Sequence, residues 1–167
     1  ERELIAPDRA LTRSLLAQYV MRREGFDRDS LQDDYRQVAL WSAGDARNDY
    51  TAVMQASNPL SPLASLPRRA LVKTEIRSIS MLNPATALVR FATVRSDPGG
   101  QVQGAQLWAA VVIYRFSNAD MSAADRLANP LGFQVIRYRR DAEMPLETPQ
   151  QPQMPLTQLP QPPSRQP

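Results

Sequence analysis

The fold is decided by the stretch Asn129-Pro130-Leu131-Gly132-Phe133-Gln134-Val135-Ile136-Arg137-Tyr138-Arg139-Arg140-Asp141, in which a turn leads directly into a strand. Pro130 lacks an amide hydrogen and biases Asn129 toward an extended backbone, while Gly132 can adopt a positive φ. Strict alternation then predicts two faces, with Phe133, Val135, Arg137 and Arg139 on one and Gln134, Ile136, Tyr138 and Arg140 on the other. We expect this strand to be the last ordered element.

Three further strands are predicted upstream of this stretch. Residues 69–82 alternate with a period of two, and the phase slips near Ser78, which predicts a bulge or bend there. A second strand is predicted from Leu88 to Val94, after the turn at Asn83-Pro84. The run from Leu107 to Phe116 is apolar on both faces, which is typical of a central strand that is covered on two sides.

The first third of the chain has helical periodicity instead. Helices are predicted over residues 7–24, from Asp29 or Ser30 to residues 42–44, and from Asp45 onward, and Gly25 suits a left-handed position after the first helix. Three helices followed by strands joined through tight turns predict an α+β domain with an antiparallel sheet. Core positions on the helical stripes are expected for the aromatic residues Tyr19, Tyr35 and Tyr50.

The composition excludes several classes of function. The 167 residues contain neither Cys nor His, which excludes disulfides, thiolate or imidazole metal sites and His-based catalytic triads. Net charge is only +3, but nineteen of the twenty basic residues are Arg, with Lys73 as the single Lys. Arg favours bidentate contacts with carboxylates and phosphates, although genomic composition bias explains the same excess.

The two ends of the chain differ from its middle. We expect residues 1–6 to be a disordered start that follows a missing membrane anchor, and residues 7–143 to form one domain. Residues 144–167 contain eight Pro and six Gln, with only Glu147 and Arg165 charged, which predicts a disordered tail. Such a tail acts as a spacer or is bound by a groove on a partner.

Four segments carry a resemblance to a known family. They are Tyr19–Asp27, Asp34-Tyr35 with Val38-Ala39-Leu40, Asn58–Pro62 and Asn129–Phe133. In this order they resemble the periplasmic domain of the eighth VirB component of bacterial type IV secretion systems, over residues 8–143. The resemblance implies a nuclear-transport-factor-two-like fold, in which N-terminal helices pack on a curved four-stranded antiparallel sheet.

The resemblance also implies a function. The chain would be a non-enzymatic structural and assembly component, without a cofactor, that forms a homodimer and contacts other type IV secretion channel proteins. It would lie at the periplasmic face of the bacterial inner membrane, held by a single-pass anchor that is missing from this chain.

Candidate contact residues come from the turn and the helices. For the turn residues Asn129, Pro130, Leu131, Gly132 and Phe133, contact with a partner and a role in setting the register of the last strand both remain open. A candidate interface comprises Tyr19, Arg22, Arg23 and Trp41. Trp41 lies off the main stripe of its helix, so an exposed anchor and a buried residue are equally compatible with its position.

Two alternatives involve other chemistry. Arg115, Arg137, Arg139 and Arg140 form a basic strip that would contact nucleic acid or simply remain solvated beside Asp141 and Glu143. The same fold class also houses isomerases and dehydratases. Without His, such an enzyme would need a pair of Tyr and carboxylate, for instance Tyr114 with Glu75 or Asp97.

Overall fold

The structure is a computed structural model that describes residues 8–144. The predictions for residues 1–6 and for the tail beyond Met144 lie outside the described residues. The elements in chain order are α1 (Arg9–Glu24), α2 (Leu31–Leu40), α3 (Gly44–Met54), α4 (Pro62–Ser65), β1 (Leu71–Asn83), β2 (Thr86–Ser96), β3 (Gln106–Phe116), α5 (Ala123–Ala128) and β4 (Phe133–Glu143). Between residues 8 and 144, every helix is too short or too polar to cross a membrane.

The first helix begins and ends for local reasons. The Asp8 side chain accepts a hydrogen bond from the Leu11 amide at 2.7 Å, which caps the N-terminus. At the other end, the prediction of a left-handed Gly25 was wrong, because its φ is −73° and the chain passes straight into a bridge between Phe26 and Val72. Glycine is suited to this position for another reason, since a Cβ there would lie 2.7 Å from the carbonyl oxygen of Met21.

The four strands form one antiparallel sheet in the order β1-β2-β3-β4, so the predicted α+β class and sheet are confirmed. β3 lies in the middle of the sheet, as predicted. The pairing of β1 with β2 shifts register between Ile76 and Ser78, which confirms the bulge expected near Ser78.

A second bulge, in β4, overturns the predicted faces of this strand. Ile113 pairs with Arg137 and Tyr114 pairs with Val135, so Ile136 is the extra residue. The alternation therefore reverses after Val135, because a bulge inserts one residue into the pleat. The residues that face the helices are Phe133, Val135, Tyr138 and Arg140, whereas Arg137 and Arg139 lie on the outer face.

The core lies between the helices and one face of the sheet. Its largest fully buried side chains include Tyr19, Phe91 and Phe133. The prediction that β3 is covered on both faces was wrong for the described part of the chain. Ala110 and Val112 are fully buried, but Val111 between them remains 37% exposed, because the helices pack on one face only.

The domain has two distinct ends along the strands. At one end, α1 begins beside the turn between β1 and β2, where Arg9 lies close to Asn83 and Pro84. We call this the hairpin end. At the other end, α1 finishes beside Val72 and β4 finishes with Glu143 paired to the first residues of β3. An 11-residue strand separates the two ends by about 36 Å.

Candidate functional site

The turn before β4 is held together by the side chain of Asn129. This side chain is buried, and its Nδ2 donates to the carbonyl oxygen of Phe133 at 2.9 Å. The Phe133 amide donates back to Asn129 Oδ1, also at 2.9 Å. The amide group thus satisfies both backbone groups of the first strand residue, which fits the register-setting alternative.

Two other turn residues are also constrained by the fold. Gly132 has a φ of 64° and is bonded through its carbonyl oxygen to the Ser117 amide at 2.7 Å. The Phe133 ring is fully buried and meets the Trp41 ring edge-on, with 5.5 Å between centroids. Pro130 is exposed and Leu131 half-buried, so these two residues are the accessible part of the turn.

The candidate interface is mostly internal. Tyr19 is 0% exposed and Trp41 5% exposed, so both side chains pack inside the domain, and of the two positions left open for Trp41 the buried one is observed. The Tyr19 hydroxyl lies 2.8 Å from the Ser42 hydroxyl, and the Trp41 indole donates to the Ala128 carbonyl at 3.4 Å. Trp41 follows the last turn of α2, where the chain bridges to Val135, so the stripe of α2 does not decide its exposure.

Arg23 is enclosed by three tyrosine side chains. Its guanidinium carbon lies 4.2 Å from the ring centroid of Tyr138 and 5.3 Å from that of Tyr50. It donates to the Tyr19 hydroxyl at 2.8 Å and to the Ala46 carbonyl at 3.0 Å. These cation–π contacts and hydrogen bonds therefore hold the Arg23 side chain inside the fold. Arg22, the fourth candidate, stays accessible, with its side chain 40% exposed and paired with Asp34 at 3.3 Å.

A cleft of about 390 Å³ opens beside this group, and we call it the helix–sheet cleft. Glu24 lies in its wall with a side chain only 7% exposed. The Tyr138 hydroxyl donates to Glu24 Oε1 at 2.7 Å, and Arg140 forms an ion pair with Oε2. Arg140 also stacks over the Trp108 ring at 4.1 Å. Other residues of the cleft include Gly25, Phe26, Tyr50, Val53, Met54, Pro62, Leu66, Val72 and Thr93.

The electrostatics of the cleft favour binding. Burial, together with the negative charge of Glu24, raises the pKa of Tyr138 well above its ordinary value, and burial raises the pKa of Tyr50. Both hydroxyls therefore keep their protons at neutral pH, and that of Tyr138 is donated to Glu24. The cleft combines the guanidinium groups of Arg23 and Arg140 with apolar walls that include Val53, Met54 and Leu66, an arrangement suited to a partly apolar ligand that carries acceptors.

Glu24 is the residue that the sequence reasoning missed. It lies in the last turn of α1, where the helix dipole disfavours a negative charge. An acidic residue at that position is a signal that it has a partner elsewhere in the fold. The partners are on β4, more than one hundred residues later, and the sequence alone does not identify them.

The structure does not bring together the pairs expected of an enzyme. Tyr114 pairs with Val135 near the hairpin end, whereas Glu75 pairs with Ala92 toward the other end and is exposed. Asp97 follows β2 and is bonded to Arg95 at 2.7 Å. The pairing of Tyr114 with either carboxylate was therefore wrong. In addition, residues 8–144 contain no group of three or more Asp or Glu that could hold a metal ion.

The expected basic strip is divided between two faces. Arg115, Arg137 and Arg139 lie on the outer face, while Arg140 lies on the helix side over Trp108. The bulge at Ile136 is the cause, because it changes which residues share a face. Arg137 is 3.7 Å from Asp45, and Arg139 is 3.5 Å from Asp141.

Comparison with known proteins identifies relatives over most of the chain. The family model described as VirB8 protein matches residues 2–143. The type IV secretion system protein virB8 of Bartonella quintana (strain Toulouse) is 33% identical over 137 residues, which cover 82% of this chain and 58% of the relative. The chain thus spans less than two thirds of this relative's length.

Solved structures share the fold. A TrwG component of a type IV secretion system from Bartonella birtlesii superposes with a TM-score of 0.77 at 33% identity, covering 84% of this chain and 96% of that one. The VirB8 protein of Agrobacterium tumefaciens gives 0.76 at 26% identity, covering 83% and 98%. These similarities confirm the nuclear-transport-factor-two-like fold. With the family match over residues 2–143, they show that this chain belongs to the VirB8 family.

Proposed function

We propose that this chain is the periplasmic part of a structural and assembly component of a bacterial type IV secretion system. The observation that carries the proposal is the VirB8 family match over residues 2–143. In this proposal the domain over residues 7–143 stands at the periplasmic face of the inner membrane, where a single-pass anchor precedes it and other channel proteins surround it.

The cleft supports a role in binding over a role in catalysis. Both carboxylate oxygens of Glu24 are engaged, one by Tyr138 and the other by Arg140. A general base needs a free lone pair near its substrate, and a tyrosine whose pKa is raised keeps its proton at neutral pH, so it offers no phenolate to act as a base. We therefore propose that the protein is not an enzyme.

A pull-down tests the assembly role. Full-length protein is purified from its host in mild detergent, and co-purifying proteins are identified by mass spectrometry. We expect other type IV secretion channel proteins to be enriched. Recovery without any secretion component would contradict the proposal.

The variant Pro130→Ala with Leu131→Ser changes only the accessible part of the turn. Loss of one partner with this variant, at unchanged stability, would assign that partner to the turn.

Self-association is proposed through the outer side of α1. Leu11, Ser14, Gln18 and Met21 are spaced to share one helical stripe. Leu11 and Met21, at the two ends of this stripe, are each 41% exposed. The stripe therefore presents one accessible apolar side chain at each end and the polar pair Ser14 and Gln18 between them, and a second copy can cover it with the same stripe, as a two-fold dimer requires.

Light scattering over a concentration series tests the dimer. We expect wild-type mass to rise toward twice the monomer value and the variant Leu11→Glu with Met21→Glu to stay monomeric. Val102→Glu is the matched control, because Val102 is 69% exposed in a loop away from α1. A strictly monomeric wild type at high micromolar concentration would refute self-association. A dimer that survives the double substitution would place the contact elsewhere.

Contact with nucleic acid is the weaker alternative. On the outer face, Arg137 and Arg139 already lie near Asp45 and Asp141. Acidic neighbours lower the local positive potential that phosphate binding requires. These pairs favour a solvated face.

A further inference from the structure

We propose that a cavity at the hairpin end binds the C-terminal carboxylate of a polypeptide whose last residue is apolar. The cavity has a volume of about 370 Å³ and lies between the first turn of α1, the end of β1 and the end of β3. We call it the hairpin-end cavity. It is lined by Arg9, Thr12, Met81, Asn83, Pro84 and Tyr114.

The floor of the hairpin-end cavity holds a tyrosine hydroxyl that the domain does not use. Tyr114 is only 4% exposed, and its ring packs against those of Phe116 and Phe133, with 6.1 Å and 5.8 Å between centroids. Burial raises the pKa of Tyr114, and its hydroxyl has no hydrogen-bond partner between residues 8 and 144. The hydroxyl therefore keeps its proton at neutral pH, and a ligand in the cavity would supply the acceptor that this donor lacks.

Two further donors stand at the rim of the cavity. Asn83 accepts from the Ala85 amide through Oδ1 at 2.9 Å, which leaves the two N–H groups of Nδ2 for a ligand. Arg9 is exposed and takes part in none of the ion pairs of the described chain. Thr12 is not a donor here, because its hydroxyl is bonded to the Asp8 carbonyl oxygen at 3.0 Å. Three donors from three elements thus line one space, and a ligand with several acceptors would satisfy them together.

The charge of the site favours an anion. None of the six described residues that line the cavity is acidic, and Arg9 contributes a guanidinium, the group that binds carboxylates in a bidentate manner. Arg13 lies one turn further along α1 and bonds to the Ile79 carbonyl, so a second positive charge is held nearby. The N-terminus of α1 adds the positive end of the helix dipole. Asp8 precedes this helix as its cap and is already engaged by the Leu11 amide.

The size of the cavity favours a chain end over a longer element. Its volume of about 370 Å³ is near the lower limit of ligand pockets, roughly 300–1,000 Å³, so it takes one residue and not a helix or a strand. At a C-terminus, one residue supplies both a carboxylate and an apolar side chain. Arg9, Asn83 and Pro84 are exposed, so the mouth of the cavity is open for the rest of the bound chain.

Each part of a C-terminal residue has a matching group in the cavity. The carboxylate binds the Arg9 guanidinium and the Tyr114 hydroxyl, as chain ends are captured elsewhere by converging donors. The apolar side chain packs against Met81 and Pro84. Asn83 is left to donate to the amide carbonyl that precedes the last residue, an acceptor that a free small carboxylate lacks.

An NMR titration of the full 167-residue chain tests this proposal, with N-acetyl-L-leucine as the probe. N-acetyl-L-leucinamide is the matched control, because it has the same side chain and the same acetyl group but no carboxylate. We expect the acid to shift the amide signals of Thr12, Met81 and Ala85 in a saturable manner. The amide should bind about tenfold more weakly, since it has no charge for the guanidinium.

Substitutions in the cavity should weaken binding of the acid. Arg9→Gln should lower the affinity about tenfold, and Tyr114→Phe, which keeps the ring, about threefold. Arg36→Gln is the matched control, because Arg36 is exposed on α2, outside the cavity, and the same charge is lost. It should leave the affinity unchanged.

Four outcomes would overturn the proposal. Absence of saturable shifts, or equal binding of the acid and the amide, would show that the carboxylate is not recognised. Equal weakening by Arg9→Gln and Arg36→Gln would show a general effect of charge. Isocaproate has the same side chain and carboxylate without the amide, and binding as tight as that of N-acetyl-L-leucine would make the ligand a free small carboxylate. Shifts centred on Gly25 and Tyr50 would place the site in the helix–sheet cleft.

Discussion

Gly132 and Ser117 are held so closely that no side chain fits between them. The Ser117 amide donates to the Gly132 carbonyl at 2.7 Å. A Cβ on Gly132 would fall well inside 3.0 Å of the Ser117 carbonyl oxygen, a separation that Cβ atoms do not tolerate. The last strand therefore starts at a point where backbone touches backbone.

Replacing Gly132 should lower the free energy of unfolding far more than replacing a glycine whose only constraint is its positive φ. Gly132→Ala combines a φ of 64° with the clash, and we expect a loss of about 3 kcal/mol or more in the free energy of unfolding. Gly100→Ala is the control, because its φ is 81° but nothing lies within 4 Å of an added Cβ. It should lose about 1 kcal/mol. Urea unfolding measures both, and equal losses would refute the role of the clash.

The Asn129 side chain should contribute about as much as Gly132 to the stability of the turn. Asn129→Ala removes both hydrogen bonds to Phe133 and leaves buried backbone groups unpaired, so we expect a loss of about 2–3 kcal/mol. Asn83→Ala is matched, because Asn83 also accepts from a backbone amide, at 2.9 Å, but is exposed. Its loss should stay under about 1 kcal/mol. Similar melting temperatures for the two variants would argue against this account.

The carboxylate of Glu24 should matter more than a surface carboxylate with the same kind of partner. Glu24→Gln keeps an acceptor for Tyr138 but removes the charge that faces Arg140, and we expect a loss of about 1–3 kcal/mol. Glu143→Gln is the control, because Glu143 pairs with Arg90 at 3.1 Å on the exposed outer face. Its effect should stay within about 0.5 kcal/mol. Thermal unfolding distinguishes the two, and an effect of Glu24→Gln no larger than the control would contradict the prediction.

The folded protein should become less stable in alkaline solution, because its buried tyrosines release their protons more readily in the unfolded chain. The pKa values of Tyr138 and Tyr50 are raised in the folded protein, so the unfolded chain releases these protons first. Above about pH 10 the folded state binds more protons than the unfolded state, and the free energy of unfolding decreases by about 1.4 kcal/mol per pH unit for each tyrosine. Below that pH the contribution is complete.

The variant Tyr138→Phe isolates one of these contributions. Phenylalanine does not titrate, so urea unfolding at a series of pH values above about 10 should show a slope smaller by about 1.4 kcal/mol per pH unit than in the wild type. The comparison of slopes does not depend on the hydrogen bond lost to Glu24 at neutral pH. Identical slopes would mean that Tyr138 does not hold its proton against the unfolded state.

The parts of the fold that follow from local pattern were predictable. The period of two gave the strands and even the bulge near Ser78, because the slip there occurs within one continuous run of alternating residues. The bulge at Ile136 has no such signature. Both Ile136 and Tyr138 are compatible with an inward position, and only pairing with β3 decides which of them is buried.

The contacts within the site depended on the tertiary fold. Arg23 was one of the residues of the candidate interface. The structure instead places Tyr138 and Tyr50 around it, from elements more than twenty residues away. Whether Trp41 is exposed or buried was left open, because this residue follows the end of its helix, where periodicity no longer applies. Neither position is decided until the sheet and the helices are packed together.

The hairpin end and the end that holds the helix–sheet cleft are separate, and this gives the domain a polarity. A segment attached before Asp8 leaves at the hairpin end, and one attached after Met144 leaves from the opposite end, about 36 Å away along the strands. Two attachments of this kind do not compete for the same space. The domain therefore keeps the two attachment points, at Asp8 and at Met144, on opposite ends of the sheet.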